Sequence, residues 1–168
     1  MIATNENNPV VIGLDIGTSG VKAVAVSPID SAVLARSKSA ITSATYGKES
    51  RLHEQDPDIW WSSSLNAINE LLHKLKNLDI AKERLIGIAC DGTSGTLVCV
   101  DLYGDPVRSA MMYDDARSEK EAEKLVIAQA AHCSKLGYKF SSSFSICKIL
   151  WLIANEPESY EKTRWFMS

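Results

Sequence analysis

The order of elements readable in the sequence predicts an α/β domain in which acid-tipped strands alternate with amphipathic helices, and three observations carry that prediction. First, Val10 to Ile16 is an almost wholly apolar run, which suits a strand buried on both faces. It is broken only by Asp15 and passes through Gly17-Thr18-Ser19-Gly20 into a second apolar strand, Val21 to Val26. Second, Leu85 to Cys90 repeats the plan and ends in Asp91-Gly92-Thr93-Ser94-Gly95-Thr96. Third, a helical pattern lies between them. Asp56 is placed to cap it, Pro57 to open it, and Asp58 to meet the positive end of its dipole. Its apolar positions, Trp61, Leu65, Ile68, Leu72 and Leu75, step by four and three, so that face is expected to pack on a sheet.

The remaining elements follow in order. Residues 1–9 read as a disordered tail and 10–168 as a single lobe. Ser27 to Asp30 is a turn, Val33 to Ile41 a third, antiparallel strand, and Thr42 to Gln55 a polar surface loop. A strand over Leu97 to Val100 precedes a turn at Tyr103-Gly104-Asp105-Pro106. Val107 to Tyr113 leads into a helix from about Ala116 to Leu136 that stops at Gly137. A short helix with Ile146, Ile149, Leu150 and Ile153 on one face ends before Pro157, and Thr163 to Met167 starts another strand. Trp165-Phe166-Met167 is an unusual finish for a domain, and truncation is expected.

Bulk properties narrow the function classes. The 168 residues can bury one core, and 45% hydrophobic with 23% charged residues is ordinary globular composition. A net charge of −3 argues against a general nucleic-acid or anionic-membrane binder. No apolar run reaches the roughly 18 residues that span a bilayer, and the start of the chain is polar, unlike a secretory signal. Cys90, Cys99, Cys133 and Cys147 lack close metal-type spacing and read as reduced thiols of a cytoplasmic protein. His53, His73 and His132 have no partner at ligand or triad spacing and read as surface residues.

The chemistry-bearing residues gather at the two strand ends. A buried lone carboxylate is costly unless a cation or donors meet it, and Asp15 stands just before a turn rich in amides and hydroxyls. The backbone of Gly17 and Gly20, the hydroxyls of Thr18 and Ser19, and the ammonium of Lys22 can converge on an anion. This is the chemistry of a metal-assisted phosphate site; an ordinary hairpin with a loop-end acid satisfies the same spacing. At the second strand end, backbone groups flanked by glycine can fix a polyol, and a tight hairpin turn explains the same residues.

Asp15-Ile16-Gly17-Thr18-Ser19-Gly20-Val21-Lys22 resembles the first phosphate loop of the sugar-kinase, heat-shock ATPase and actin superfamily, and within it the FGGY carbohydrate kinases. Glu54-Gln55-Asp56-Pro57-Asp58-Ile59-Trp60-Trp61 is similar to the stretch that opens the first long helix in that family. Tyr113-Asp114-Asp115-Ala116-Arg117 matches its aromatic-x-Asp-x-Arg segment, and Ser141 to Phe144 with Lys148 to Trp151 its loop and Lys-x-x-Trp helix, taken as packing. The resemblance implies a ribonuclease-H-like lobe, with a mixed sheet of three antiparallel strands followed by parallel ones and helices on its faces. It implies ATP and Mg2+, with Asp15 serving the metal and the reacting phosphoryl group, and Gly17, Thr18, Ser19, Gly20 and Lys22 the phosphates. Ser94, Gly95, Thr96, Tyr113 and Asp114 fall on the sugar side. Arg117 can tether Asp114 and Asp115 through a bidentate pair, whereas Asp115 can equally cap the next helix.

Glycerol kinases carry Arg-Glu near Ser94 and Gly95, and xylulokinases Met-His. The small residues here look more like a D-ribulokinase-like branch. A ketopentose such as D-ribulose or D-xylulose is the implied partner, with no nucleic acid or membrane, and a homodimer of a full-length form is left open. The family's catalytic base is an Asp beyond residue 168, and its members run to about three times this length. Three readings stand: the N-terminal part of a kinase, inactive alone; a non-catalytic sugar- or nucleotide-binding lobe; and an actin-like phosphohydrolase lobe, against which the Glu54 to Trp61 stretch argues.

Overall fold

The computed structural model describes residues 8–42, 45–46 and 51–168, with Thr45 and Tyr46 described in their backbone only. Most of the predicted tail therefore lies outside the described residues, and so do parts of the predicted loop after Ile41. Within the tail, the Asn8 carbonyl accepts a hydrogen bond from Arg84 Nε at 2.7 Å, so this residue is anchored.

The chain forms two compact units, Met1–Thr42 with Asp58–Gly92, and Ser43–Pro57 with Thr93–Ser168. Each draws on two separated stretches, which is why no linker is visible in the sequence.

The first unit is a four-stranded sheet with one long helix. Its strands are β1 (Val10–Gly17), β2 (Gly20–Val26), β3 (Val33–Ala40) and, later in the chain, β6 (Leu85–Gly92). Their order is β3-β2-β1-β6; the first three run antiparallel, and β6 pairs parallel to β1. This is the mixed arrangement expected. Gly17 pairs with Gly20, so the turn proper is only Thr18 and Ser19. Gly20 is required there: a Cβ would lie 2.7 Å from the Ser39 carbonyl oxygen, closer than real side chains pack. The Ile41 amide donates to the Ser19 carbonyl at 3.0 Å and ties the turn to the end of β3.

Period-two alternation sends Val10, Ile12 and Leu14 of β1, with Val21, Ala23 and Ala25 of β2, to one face. They meet α1 (Pro57–Asn77) through Ala67, Leu71 and Leu75. The face of α1 matches the expected one in part: Leu75 is buried and Ile68 and Leu72 pack against the core, but the other two positions differ. Trp60 packs against the core, whereas Trp61 is 67% exposed and Leu65 is also exposed. The difference has a polar cause. Ser63 and Ser64 are buried because their hydroxyls donate to the Ala40 and Trp60 carbonyls, while Ser37 Oγ donates to the Ala67 carbonyl at 2.6 Å. Small hydroxyl residues let the helix lie close to the sheet, and that contact carries no hydrophobic signature. A second correction concerns β6, expected as a buried strand. It is a sheet edge, and Ile86 and Ile88 are exposed.

The second unit contains β4 (Thr45–Tyr46), β5 (His53–Gln55) and β8 (Ala110–Met111) in one antiparallel sheet, and β7 (Val98–Val100) paired with β9 (Trp165–Met167) in another. The expected surface loop over Thr42–Gln55 thus contains two strands, and His53 and Gln55 are buried. The strand expected from Thr163 to Met167 is present as β9. The long helix expected over 116–136 is two, α2 (Glu119–Ala128) and α3 (Ala130–Leu136), broken at Gln129; Gly137 ends α3 in the left-handed conformation, as expected. On α4 (Ser145–Asn155) the buried residues are Cys147, Lys148 and Leu152, while Ile146 and Ile153 are exposed, so its inward face is turned from the predicted one. The last helix is α5 (Pro157–Lys162). All four cysteines are free thiols. No helix among the described residues is long and apolar enough to cross a membrane.

Candidate functional site

In the first unit, register places four charged residues on one rung of the sheet. Lys38 of β3 is the partner of Lys22 on β2, Lys22 of Asp15 on β1, and Asp15 of Asp91 on β6. Residues opposite one another in a ladder leave the same face, so two ammonium groups and two carboxylates stand in a row there. Lys22 Nζ lies 3.1 Å from Asp15 Oδ2, and both side chains are more than half exposed. One rung back, Gly13 and Ala89 are small, and with this charged row they line an open depression of about 910 Å3. Such a face can hold a polyanion and a cation together. Asp15 is therefore exposed at the strand end rather than buried. Thr18 and Ser19 stand at the turn beside it.

In the second unit, three separate stretches singled out in the sequence converge. Gly95 has φ +77°, and a Cβ there would lie 2.9 Å from the Ser143 carbonyl oxygen and 3.6 Å from the Tyr113 Cβ. The turn after β6, the segment after β8 and the loop before α4 therefore touch at a point where only glycine fits. Ser94, Tyr113 and Asp114 are exposed around this point, whereas Thr96 is buried, its hydroxyl without a hydrogen-bond partner among the described residues.

Beneath them lies a buried charge network. Asp115 is fully buried; it accepts from the His53 amide at 2.8 Å, the Arg117 amide at 3.1 Å and Arg117 Nε at 3.0 Å. Arg117 NH2 reaches Glu54 Oε1 at 2.7 Å, its guanidinium stacks 4.7 Å from the Trp151 ring centroid, and Arg108 joins Glu54 to Glu156. Burial opposes the charge on Arg117, but the bonds to Asp115 and Glu54 outweigh it and hold the group charged beyond its ordinary range. Arg117 thus tethers Asp115 and Glu54, not Asp114 and Asp115 as a bidentate pair. Asp115 caps no helix: the cap of α2 is Ser118, whose hydroxyl bonds the Ser142 carbonyl instead. Asp114 is oriented by His53, whose Nδ1 lies 2.5 Å from Asp114 Oδ1.

Sequence reasoning missed His53, Glu54, Arg108 and the role of Lys148. Lys148 is fully buried and donates to the Gly95 and Met112 carbonyls. Its signal was present: one lysine within the apolar run Ile146 to Ile153 needs a reason to be there. His53 had none, because a three-residue strand paired with β8, more than 50 residues away, leaves no periodic trace.

Three antiparallel strands, a parallel fourth and acid-tipped strand ends define a lobe of the actin-like ATPase superfamily. The comparison that narrows this class is with the N-terminal domain of the FGGY family of carbohydrate kinases, whose model matches residues 10–168. The chain belongs to that family. Among relatives, a xylulose kinase from Staphylococcus epidermidis is 28% identical over 159 residues, covering 94% of this chain and 30% of the relative. One from Staphylococcus xylosus is 30% identical, covering 94% of this chain and 31% of the relative. The solved structure of a xyloylose kinase from Brucella ovis superposes with a TM-score of 0.81 at 25% identity, covering 94% of this chain and 32% of that one. The chain thus spans about 30% of the length of the curated relatives it matches.

Proposed function

We propose that this chain supplies the phosphate side and the sugar side of an ATP-dependent carbohydrate kinase acting on a ketopentose such as D-ribulose or D-xylulose. The observation that carries the reading is the charged rung Lys38-Lys22-Asp15-Asp91 beside the Thr18-Ser19 turn. Phosphoryl transfer needs positioning and charge neutralisation more than covalent help. Lys22 and Lys38, with the amides and hydroxyls from Gly17 to Gly20, neutralise and hold the phosphates. Among the described residues no three His, Cys, Asp or Glu form a metal cluster. Two neighbouring carboxylates are nonetheless a suitable donor set for Mg2+, which takes one or two protein carboxylates and completes its shell with water and phosphate oxygens. Asp15 and Asp91 would hold it. The exposed Lys22–Asp15 pair is worth only about 0–1 kcal/mol, so Asp15 can exchange that partner for a cation at little cost. The metal would supply charge neutralisation to the reacting phosphoryl group.

Ser94, Gly95, Tyr113 and Asp114 face the sugar, with Asp114 held by His53 so that its free oxygen can accept from a hydroxyl. The ketopentose assignment draws on the xylulose kinase relatives and on the small residues at Ser94 and Gly95. No residue here is assigned as the base that takes the hydroxyl proton. Sugar-dependent ADP release by the protein purified from its source tests the reading. Asp15→Asn is expected to cut kcat by about 100-fold or more while the circular dichroism spectrum is unchanged. ADP release that needs no sugar would replace the kinase reading with a phosphohydrolase. Sugar binding without ADP release would replace it with a non-catalytic binding lobe. The 168-residue chain alone is expected to release no ADP above blank.

A further inference from the structure

Lys148 has 0% of its surface exposed, in the middle of the apolar helix α4. Packing alone would favour Met or Leu there, since an ammonium out of water needs compensation. Its compensation is specific. Nζ donates to the Gly95 carbonyl at 2.5 Å and to the Met112 carbonyl at 2.6 Å. Those carbonyls belong to different segments. Gly95 adjoins Ser94, and Met112 directly precedes Tyr113 and Asp114. The same two segments already touch at Gly95 and Tyr113. One ammonium therefore clamps the backbone under each group of residues assigned to the sugar.

Resting on the sugar-kinase reading above, we propose that Lys148 is a positioning residue that fixes the spacing between the Ser94-Gly95 turn and the Tyr113-Asp114 segment, and through it sugar affinity. It touches no sugar itself. Its charge is set by its surroundings: burial lowers its pKa to about 8, Asp115 and Asp114 oppose that fall, Arg117 adds to it, and Cys147 on the same helix opposes it. Above that pH the amine keeps two N–H donors but loses the strength of charge-assisted bonds.

The test introduces Lys148→Met and Lys148→Arg into the gene in the source cells and measures Kd for D-ribulose, D-xylulose and ATP on the purified proteins. Lys148→Met is expected to weaken the preferred sugar about tenfold or more, with ATP unchanged within about twofold. Lys148→Arg, which keeps charge and donors, is expected to recover part of the loss. In the wild type, sugar affinity is expected to fall above pH about 8, and this fall should be absent in Lys148→Met. Equal sugar affinity in wild type and Lys148→Met would overturn the inference and leave the kinase reading standing. Equal losses for sugar and ATP would also overturn it, because they would mark general damage. A wild type that binds no ketopentose would overturn the kinase reading and the inference together.

Discussion

At Lys148 the sign of the pH dependence follows from where the proton is held. Burial lowers its pKa from 10.5 to about 8 in the folded protein, so between those values the unfolded chain binds a proton that the folded chain has released. Stability therefore rises with pH across that window through this group. At about 1.36 kcal/mol per pH unit, the unfolding free energy of wild type should gain about 3 kcal/mol on that of Lys148→Met over the window. Urea denaturation of both proteins at three pH values measures the difference. Gly95 provides an independent residue-scale prediction. Gly95→Ala would force a side chain to φ +77° and press it against the Ser143 carbonyl, so sugar affinity should fall by about tenfold. Titration calorimetry with sugar and with ATP separates that loss from unfolding. Asp115 is the residue whose removal should cost most. Asp115→Ala leaves the buried Arg117 short of one partner and the His53 amide unpaired, a loss of roughly 3–5 kcal/mol in chemical denaturation.

Among the elements, α1 separates two kinds of apolar residue that look alike in sequence. Leu71 is fully buried against the sheet and Trp61 is mostly exposed. Leu71→Ala should destabilise by about 2–5 kcal/mol, while Trp61→Ala should stay within about 0.5 kcal/mol in the same urea melts. What was legible follows from the same physics. The β1–β2 hairpin and β3 were readable because long apolar runs, alternation and Gly-rich turns are local signals. The Asp15 turn and the Ser94-Gly95 turn were readable because acid, glycine and hydroxyl residues stand next to one another in the chain. The inward face of α1 was legible in part: Ile68, Leu72 and Leu75 pack on the core as expected, whereas Ser63 and Ser37 join helix and sheet through hydroxyl–carbonyl bonds that carry no apolar signal. The Asp115–Arg117 pair was legible, being two residues apart, but its extension to Glu54 and Arg108 was not, because that joins β5 to segments more than 50 residues later, and separation hides pairing. The break at Gln129 also left no glycine or proline to announce it.

For the whole molecule, the two units set different demands on the sequence. The first unit has a continuous core between one face of its sheet and α1, and the second has a smaller one around Leu97, Cys99, Met111 and Leu152. Within the first unit, β6 holds an unusual position. It is the outer strand of its sheet, eight residues long, and Ile86 and Ile88 are 67% and 54% exposed. An outer strand presents unpaired amides and carbonyls, and chains usually blunt such an edge with lysine, proline or a bulge. Here one extra residue, Ile86, interrupts the pairing, with Val10 opposite Leu85 and Val11 opposite Gly87, and the strand carries no lysine or proline. The 168-residue chain produced by itself is therefore expected to associate through this edge as its concentration rises. Ile86→Lys with Ile88→Lys places two like charges on the edge and should shift the chain towards monomer. Light scattering at a series of concentrations reads both outcomes. A chain that stays monomeric without the substitutions would show that β6 is shielded in solution. Association that survives both lysines would place the contact elsewhere on the molecule.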